Sequence, residues 1–307
     1  MRSGRRRLLR LLAAACALWP LVAGAGNEGE RPMLHLGVIS ERVDQPDYML
    51  AQYAPLLDYL RRQLDPQGFA VGELCIAADI PELVRFIRAG KVDIVFESLI
   101  TTFRINAAGA SLQPSLAAWR KERRETRTVF FVRQASPIKR LRDLAGKTLV
   151  LASSRSTTAY ALPKIVLRRQ GLDVQPLGAL RGGLDRVRYV LSAAEANQAY
   201  WVDRGRADAG AFNTEDWEEL PSGLRQRLSI IYTSEPILHW LLSARTGLPS
   251  AALEAVQKAL LNMPASSDGL QALQRAGRIR RFDRLDGGDL ASIRNWRAAT
   301  ARSGFGE

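Results

Sequence analysis

Five hydroxyl side chains crowd one short stretch, Ser153-Ser154-Arg155-Ser156-Thr157-Thr158. It follows an apolar run, Thr148 to Ala152, and leads into a helical pattern from Thr157 to Arg169. A helix start exposes N–H groups that have no partner inside the helix, and it carries a partial positive charge. Hydroxyls gathered there add neutral donors, so the place suits an oxyanion. The competing role is structural, with Ser156 or Thr157 simply capping the helix. A lone serine would read as a cap. Ser-Thr-Thr after a strand, with two more serines upstream, leaves both roles open. Other chemistries fail on spacing. Gly146-Lys147-Thr148 ends like a phosphate-cradling loop, but Leu141 stands where that loop needs its first glycine. His35 and His239 are the only histidines, and neither has a second ligand at metal-binding spacing. No Ser-His-Asp or Cys-His constellation can be assembled. Glu97 is the single acid/base candidate, so neither an enzyme nor a metal or cofactor is expected.

The elements around these residues follow a regular order. Leu34 to Ile39 reads as a buried strand, Tyr53 to Leu64 as an amphipathic helix, and Phe69 to Ala77 as a second strand. Pro81 to Ala89 is a helix that Asp79 caps and Gly90 ends. Val92 to Phe96 is a third strand and Ile100 to Ala108 a helix. Strand, helix, strand, helix with short loops is the pattern of a doubly wound α/β sheet. The pattern restarts with strands at Thr128–Arg133 and Thr148–Ala152. The helix from Thr157, a strand at Arg188–Leu191, the helix Ala194–Arg204 and a strand at Ala209–Asn213 follow. No linker separates the two halves, so they are expected to share crossing strands. This predicts a first lobe of residues 33–125 plus 236–290, a second lobe of 126–235, and a tail of 291–307. Ligands in open α/β sheets sit at the carboxyl ends of strands, so two lobes facing across such ends make a cleft that can close.

The chain has 307 residues and a formal net charge of +13. Five of its 44 basic residues, Arg2, Arg5, Arg6, Arg7 and Arg10, fall in residues 1–25, which hold no acid. A basic start, an apolar run to Val22 and Ala23-Gly24-Ala25 read as a secretory signal cut after Ala25. A lipid anchor at Cys16 is the weaker alternative, because Ala13 stands where a lipoprotein box has leucine. The apolar run is too short for a membrane span. Cys75 is then alone and fits a small buried apolar role. Nucleic-acid binding is excluded, since the basic segments carry neither a motif nor interleaved aromatics. Arg120–Glu125 is read as a solvated charge run. The arginines at 275, 278, 280, 281 and 284 are read as a solvated face, with docking to an acidic partner as the alternative.

The motifs together resemble a known family. Ser156-Thr157-Thr158-Ala159-Tyr160 is similar to the Ser-Thr-Ser-Gly-Tyr motif of the phosphate/phosphite/phosphonate-type periplasmic substrate-binding proteins of ABC transporters. Gly90–Ser98, Phe130–Arg133, Leu141–Thr148 and Gly205–Ala211 resemble further family segments in the family's order. The resemblance implies a two-lobed, type II, Venus-flytrap fold, each lobe a mostly parallel sheet flanked by helices. It implies capture of a small phosphate- or phosphonate-like oxyanion in the interlobe cleft and delivery to an ABC permease in the inner membrane. A binding protein serving a membrane sensor kinase is the alternative. Carried over by position, Ser156, Thr157 and Thr158 match the anion-binding hydroxyls, and Tyr160 continues the match. Glu97 and Ser98 fall at the strand end facing the ligand, and Asn213 at the matching end in the second lobe. A family histidine is missing from Ser192–Asn197, where Asn197 is the polar substitute, and Ala159 replaces the motif glycine.

Overall fold

The alternating apolar runs become two six-stranded sheets. The computed structural model describes residues 31–40, 45–179, 183, 185–192 and 194–304. The expected signal segment 1–25, with Cys16, lies outside these residues. The first lobe opens with β1 (Met33–Leu34), β2 (Leu36–Ile39), α1 (Pro46–Leu64), β3 (Ala70–Val71) and β4 (Cys75–Ala77). It continues through α2 (Ile80–Arg88), β5 (Ile94–Ser98), α3 (Leu99–Ala107) and β6 (Leu112–Arg120). The chain crosses at β7 (Glu125–Thr126) into β8 (Thr128–Arg133), β9 (Thr148–Leu151), α4 (Leu162–Arg169), β10 (Val174–Pro176) and β11 (Val187–Leu191). The second lobe finishes with α5 (Glu195–Asp203), β12 (Ala209–Asn213), α6 (Thr214–Glu218), α7 (Ser222–Arg225) and β13 (Leu228–Thr233). The return crossing β14 (Ile237–Leu238) leads to β15 (Trp240–Arg245), α8 (Ser250–Asn262), α9 (Ser267–Arg275), β16 (Ile279–Arg284) and α10 (Gly287–Arg302).

Local sequence explains most of these elements. Tyr53, Leu56, Leu57, Leu60 and Leu64 form one buried stripe of α1. The Asp79 carboxylate accepts from the Glu82 N–H and caps α2, and Gly90 takes φ +69° just past its end. The stretch Phe69–Ala77, expected as one strand, is broken at Gly72. The His35 ring lies 2.5 Å from where a Cβ at Gly72 would stand, so only glycine permits that approach. β3 pairs with β1, and β4 pairs with β2.

The first sheet has the order β16-β6-β15-β5-β2-β4 and the second β10-β11-β9-β12-β8-β13. The second is mostly parallel, as expected, with antiparallel pairing only of β8 to β12 and β13. The first departs from that expectation. Only β4-β2-β5 is parallel, and β15, β6 and β16 add antiparallel. The reason lies in the crossings, where β7 and β14 pair antiparallel through Thr126↔Ile237 and Glu125↔Leu238. A strand that starts at a crossing runs away from the cleft, opposite to strands that end there. So β8 lies antiparallel to β12, and β15 to β5.

Three segments differ from their expected character. Residues 291–304 are no tail, since α10 buries Ile293, Trp296 and Ala299 in a core shared with Leu99 and Ile100 of α3 and Leu162 and Ile165 of α4. The arginine-rich stretch near 280 is the edge strand β16, with Ile279 and Phe282 inward and Arg280, Arg281 and Arg284 outward. The charge run 120–125 leads into the crossing. There Arg124 makes a two-pronged pair with Asp289 of α10, and Arg123 reaches Glu218.

Candidate functional site

Two helix starts meet. Ser98 ends β5 and caps α3, its hydroxyl accepting from the Thr101 N–H at 3.2 Å. Ser156 caps the opposing helix in the same way, accepting from the Ala159 N–H at 3.1 Å. That helix opens on a wide π-type turn, Thr157–Ala161, before α4. In such a turn the Leu162 N–H reaches back to the Thr157 carbonyl, which leaves one more leading N–H without an internal partner than an α start would. Thr157 then points across. Its Oγ1 lies 2.7 Å from the Ser98 hydroxyl and 3.4 Å from the Thr101 hydroxyl. Residues 59 positions apart in the chain thus share one hydrogen bond between the lobes.

The second-lobe wall continues from this point. The Thr158 hydroxyl accepts from Asn213 Nδ2 at 3.3 Å, and its carbonyl accepts from the Thr128 hydroxyl at 3.0 Å. Asn213 ends β12 and caps α6, accepting from the Asp216 N–H at 2.7 Å and donating to the Asp216 carboxylate at 2.8 Å. Burial pushes Asp216 up to about 6, and the charge of Glu195 adds to the rise. On the first-lobe side Glu97 is half-buried. Its carboxylate accepts from the Ile39 N–H at 3.4 Å and the Ser98 N–H at 3.3 Å, so it lies along the strand ends.

Two candidates stand away from the hydroxyls. The Tyr160 hydroxyl lies 3.3 Å from that of Tyr189 and accepts from Lys164 Nζ at 3.1 Å, facing α4 and β11. Burial lowers the Lys164 ammonium there. Asn197 is exposed on α5 and donates to the Ser192 carbonyl. Among the described residues no hydrogen bond joins it to the Ser98–Thr157 cluster.

Thr101, Asp216 and the reach of Arg155 are not among the residues expected from sequence. Thr101 could have been found, since it sits one helical turn after Ser98 on the same face. Asp216 stands at the matching offset from Asn213. Arg155 donates from Nη2 to the carbonyls of Ser40 and Ala78, both at 2.7 Å, which no local pattern announces. The arrangement offers neutral donors and two bordering carboxylates. Among the described residues no cluster of His, Cys, Asp or Glu could hold a metal ion, and no helix is long and apolar enough to cross a membrane.

Comparisons with known proteins agree with this fold. The family described as ABC transporter, phosphonate, periplasmic substrate-binding protein matches residues 41–290. A Xanthomonas citri protein, solved with chloride and with ATP, is 28% identical over 88% of this chain and 98% of its own, with a TM-score of 0.78. A binding-protein component of a Pseudomonas aeruginosa phosphonate transporter is 20% identical over 89% of this chain and 88% of its own, with a TM-score of 0.60. A Prochlorococcus marinus protein solved with methylphosphonate shares the fold at 17% identity, covering 89% of this chain and 98% of its own, with a TM-score of 0.60. Two α/β lobes that close hydroxyl-rich helix starts on each other, together with a family match over most of the sequence, establish that this chain belongs to the periplasmic substrate-binding proteins of ABC phosphonate transporters.

Proposed function

We propose that the chain captures a phosphate- or phosphonate-like oxyanion between Ser98 and Thr101 of the first lobe and Ser156, Thr157 and Thr158 of the second. The observation that carries this reading is the 2.7 Å approach of the Ser98 and Thr157 hydroxyls from opposite lobes. An oxyanion entering there takes hydroxyl and backbone N–H donors from both sides. The capping bonds hold the Ser98 and Ser156 oxygens in place, and an entering oxyanion exchanges the Ser98–Thr157 bond for bonds to itself. A ligand that bridges both lobes binds the closed form better than the open one, and that difference drives closure. Glu97 and Asn213 border the seat. Tyr160 supports the turn from behind, and Asn197 lies outside. The Xanthomonas citri relative was solved with anions, in keeping with an anion seat. Residues 1–25 serve as the export signal, and the mature chain begins at Gly26 in the periplasm. It delivers its ligand to an inner-membrane ABC permease.

Calorimetry against phosphate, phosphite, methylphosphonate, sulfate, thiosulfate and ATP tests the ligand class, with phosphate or methylphosphonate expected to bind. Thr157→Ala is expected to weaken the tightest of these by tenfold or more, about what one lost hydrogen bond to a charged group costs. Unchanged affinity would show that the seat lies elsewhere.

A further inference from the structure

Arg155 lies in the second lobe, on the loop between β9 and the helix that begins at Thr157. Its Nη2 donates to two carbonyls of the first lobe, Ser40 just past β2 and Ala78 just past β4, each at 2.7 Å. Both acceptors are held by contacts inside the first lobe. The Ser40 N–H donates to the Ala77 carbonyl at 2.8 Å, and the Ala78 N–H donates to the Glu82 carboxylate at 2.7 Å. One guanidinium nitrogen carries two N–H donors in a fixed fork and keeps its charge at any physiological pH, so it can serve two carbonyls at once. The side chain is exposed, and its two acceptors lie at the adjacent ends of parallel strands.

We propose that Arg155 is the positioning residue that latches the closed cleft. It acts by joining the ends of β2 and β4 to the loop that carries Ser156 and Thr157, and it sets how long a ligand stays rather than which ligand is chosen. The inference rests on closure over the Ser98–Thr157 seat. The arginine contacts form only when the lobes meet, so they add to the closed state alone. They slow reopening and leave the approach of ligand to the open cleft untouched.

The test compares wild type, Arg155→Ala and Arg155→Lys in two measurements. Stopped-flow kinetics with inorganic phosphate and with methylphosphonate read association and dissociation separately. Dissociation from Arg155→Ala is expected to be roughly tenfold faster, with association equal to or faster than wild type because the ligand-free variant spends more time open, and melting temperature close to wild type. Arg155→Lys keeps a charge but not the fork, and is expected to restore part of the slow dissociation. Small-angle X-ray scattering on ligand-free protein is expected to show a larger radius of gyration for Arg155→Ala. An unchanged dissociation rate together with an unchanged scattering profile overturns the latch. A loss confined to association also overturns it, because that would make Arg155 a steering charge. If neither anion binds even the wild type, the oxyanion reading fails, while the ligand-free scattering still decides the latch.

Discussion

Asp216 carries a pH signature two hydrogen bonds away from the Thr158 hydroxyl of the proposed anion seat, through Asn213. Burial holds its carboxyl at about 6 in the folded protein, against an ordinary 3.8. The folded state therefore keeps this proton over a range where the unfolded chain has lost it. The contribution of Asp216 to stability falls as pH rises from about 4 to 6, and the full penalty stands above that. Asp216→Asn removes the ionisation. Its gain is expected to reach about 2 kcal/mol at pH 7.5 and to vanish near pH 4, read by urea unfolding at both values. His239 behaves in the opposite sense. Burial, with Arg120 and Lys121 nearby, holds it at about 3, so it stays neutral in the folded protein while the unfolded chain takes up a proton below about 6.5, and its contribution to stability is lost as pH falls.

Among the elements, α10 is the one whose importance its composition hides. It carries arginines along much of its length, yet Trp296 is only 3% exposed and its indole N–H donates to the Pro236 carbonyl at 3.0 Å. Pro236 lies beside the return crossing, so the helix fastens the place where the chain changes lobe. Trp296→Ala is expected to cost about 3–5 kcal/mol in equilibrium unfolding. Trp296→Phe keeps most of the buried area and leaves that carbonyl without its donor, so a smaller loss is expected. The strand β16 misleads for another reason. Its inward residues Ile279 and Phe282 stand three apart, because an irregularity between Ile279 and Arg281 breaks the two-residue period by which a strand is read.

At the scale of the whole molecule, the two sheets are joined by the β7–β14 crossing and by a core that α3, α4 and α10 fill together. Arg124, beside β7, pairs with Asp289 at the start of α10, which ties the outgoing crossing to the helix that fastens the returning one. The pair holds the Asp289 carboxyl below its usual range, so its contribution is complete above the ordinary carboxylate pKa and is lost as pH falls through the depressed value. Arg124→Ala leaves a largely buried carboxylate without its counter-charge, with the Asp286 N–H still donating to it. It is expected to cost about 3 kcal/mol at neutral pH, shrinking in acid as Asp289 takes up a proton, with thermal melting across pH as the measurement.

The sequence by itself determined what is local. Apolar runs in β2, β5, β8, β9 and β12 and the cap at Asp79 fix α/β elements in order, because burial and helix-end hydrogen bonds depend on residues a few positions apart. The hydroxyl cluster at Ser153–Thr158 marked a helix start suited to an oxyanion for the same reason. Sequence could not choose between capping and binding there; in the fold Ser156 caps while Thr157 reaches across to Ser98. Only the tertiary structure brought Thr157 to Ser98, or Arg155 to Ser40 and Ala78, which lie 115 and 77 residues away. It also decided that β15 and β8 enter antiparallel. Pairings at such separations depend on where the crossing strands aim the two sheets, and that direction is written in no single segment of the chain.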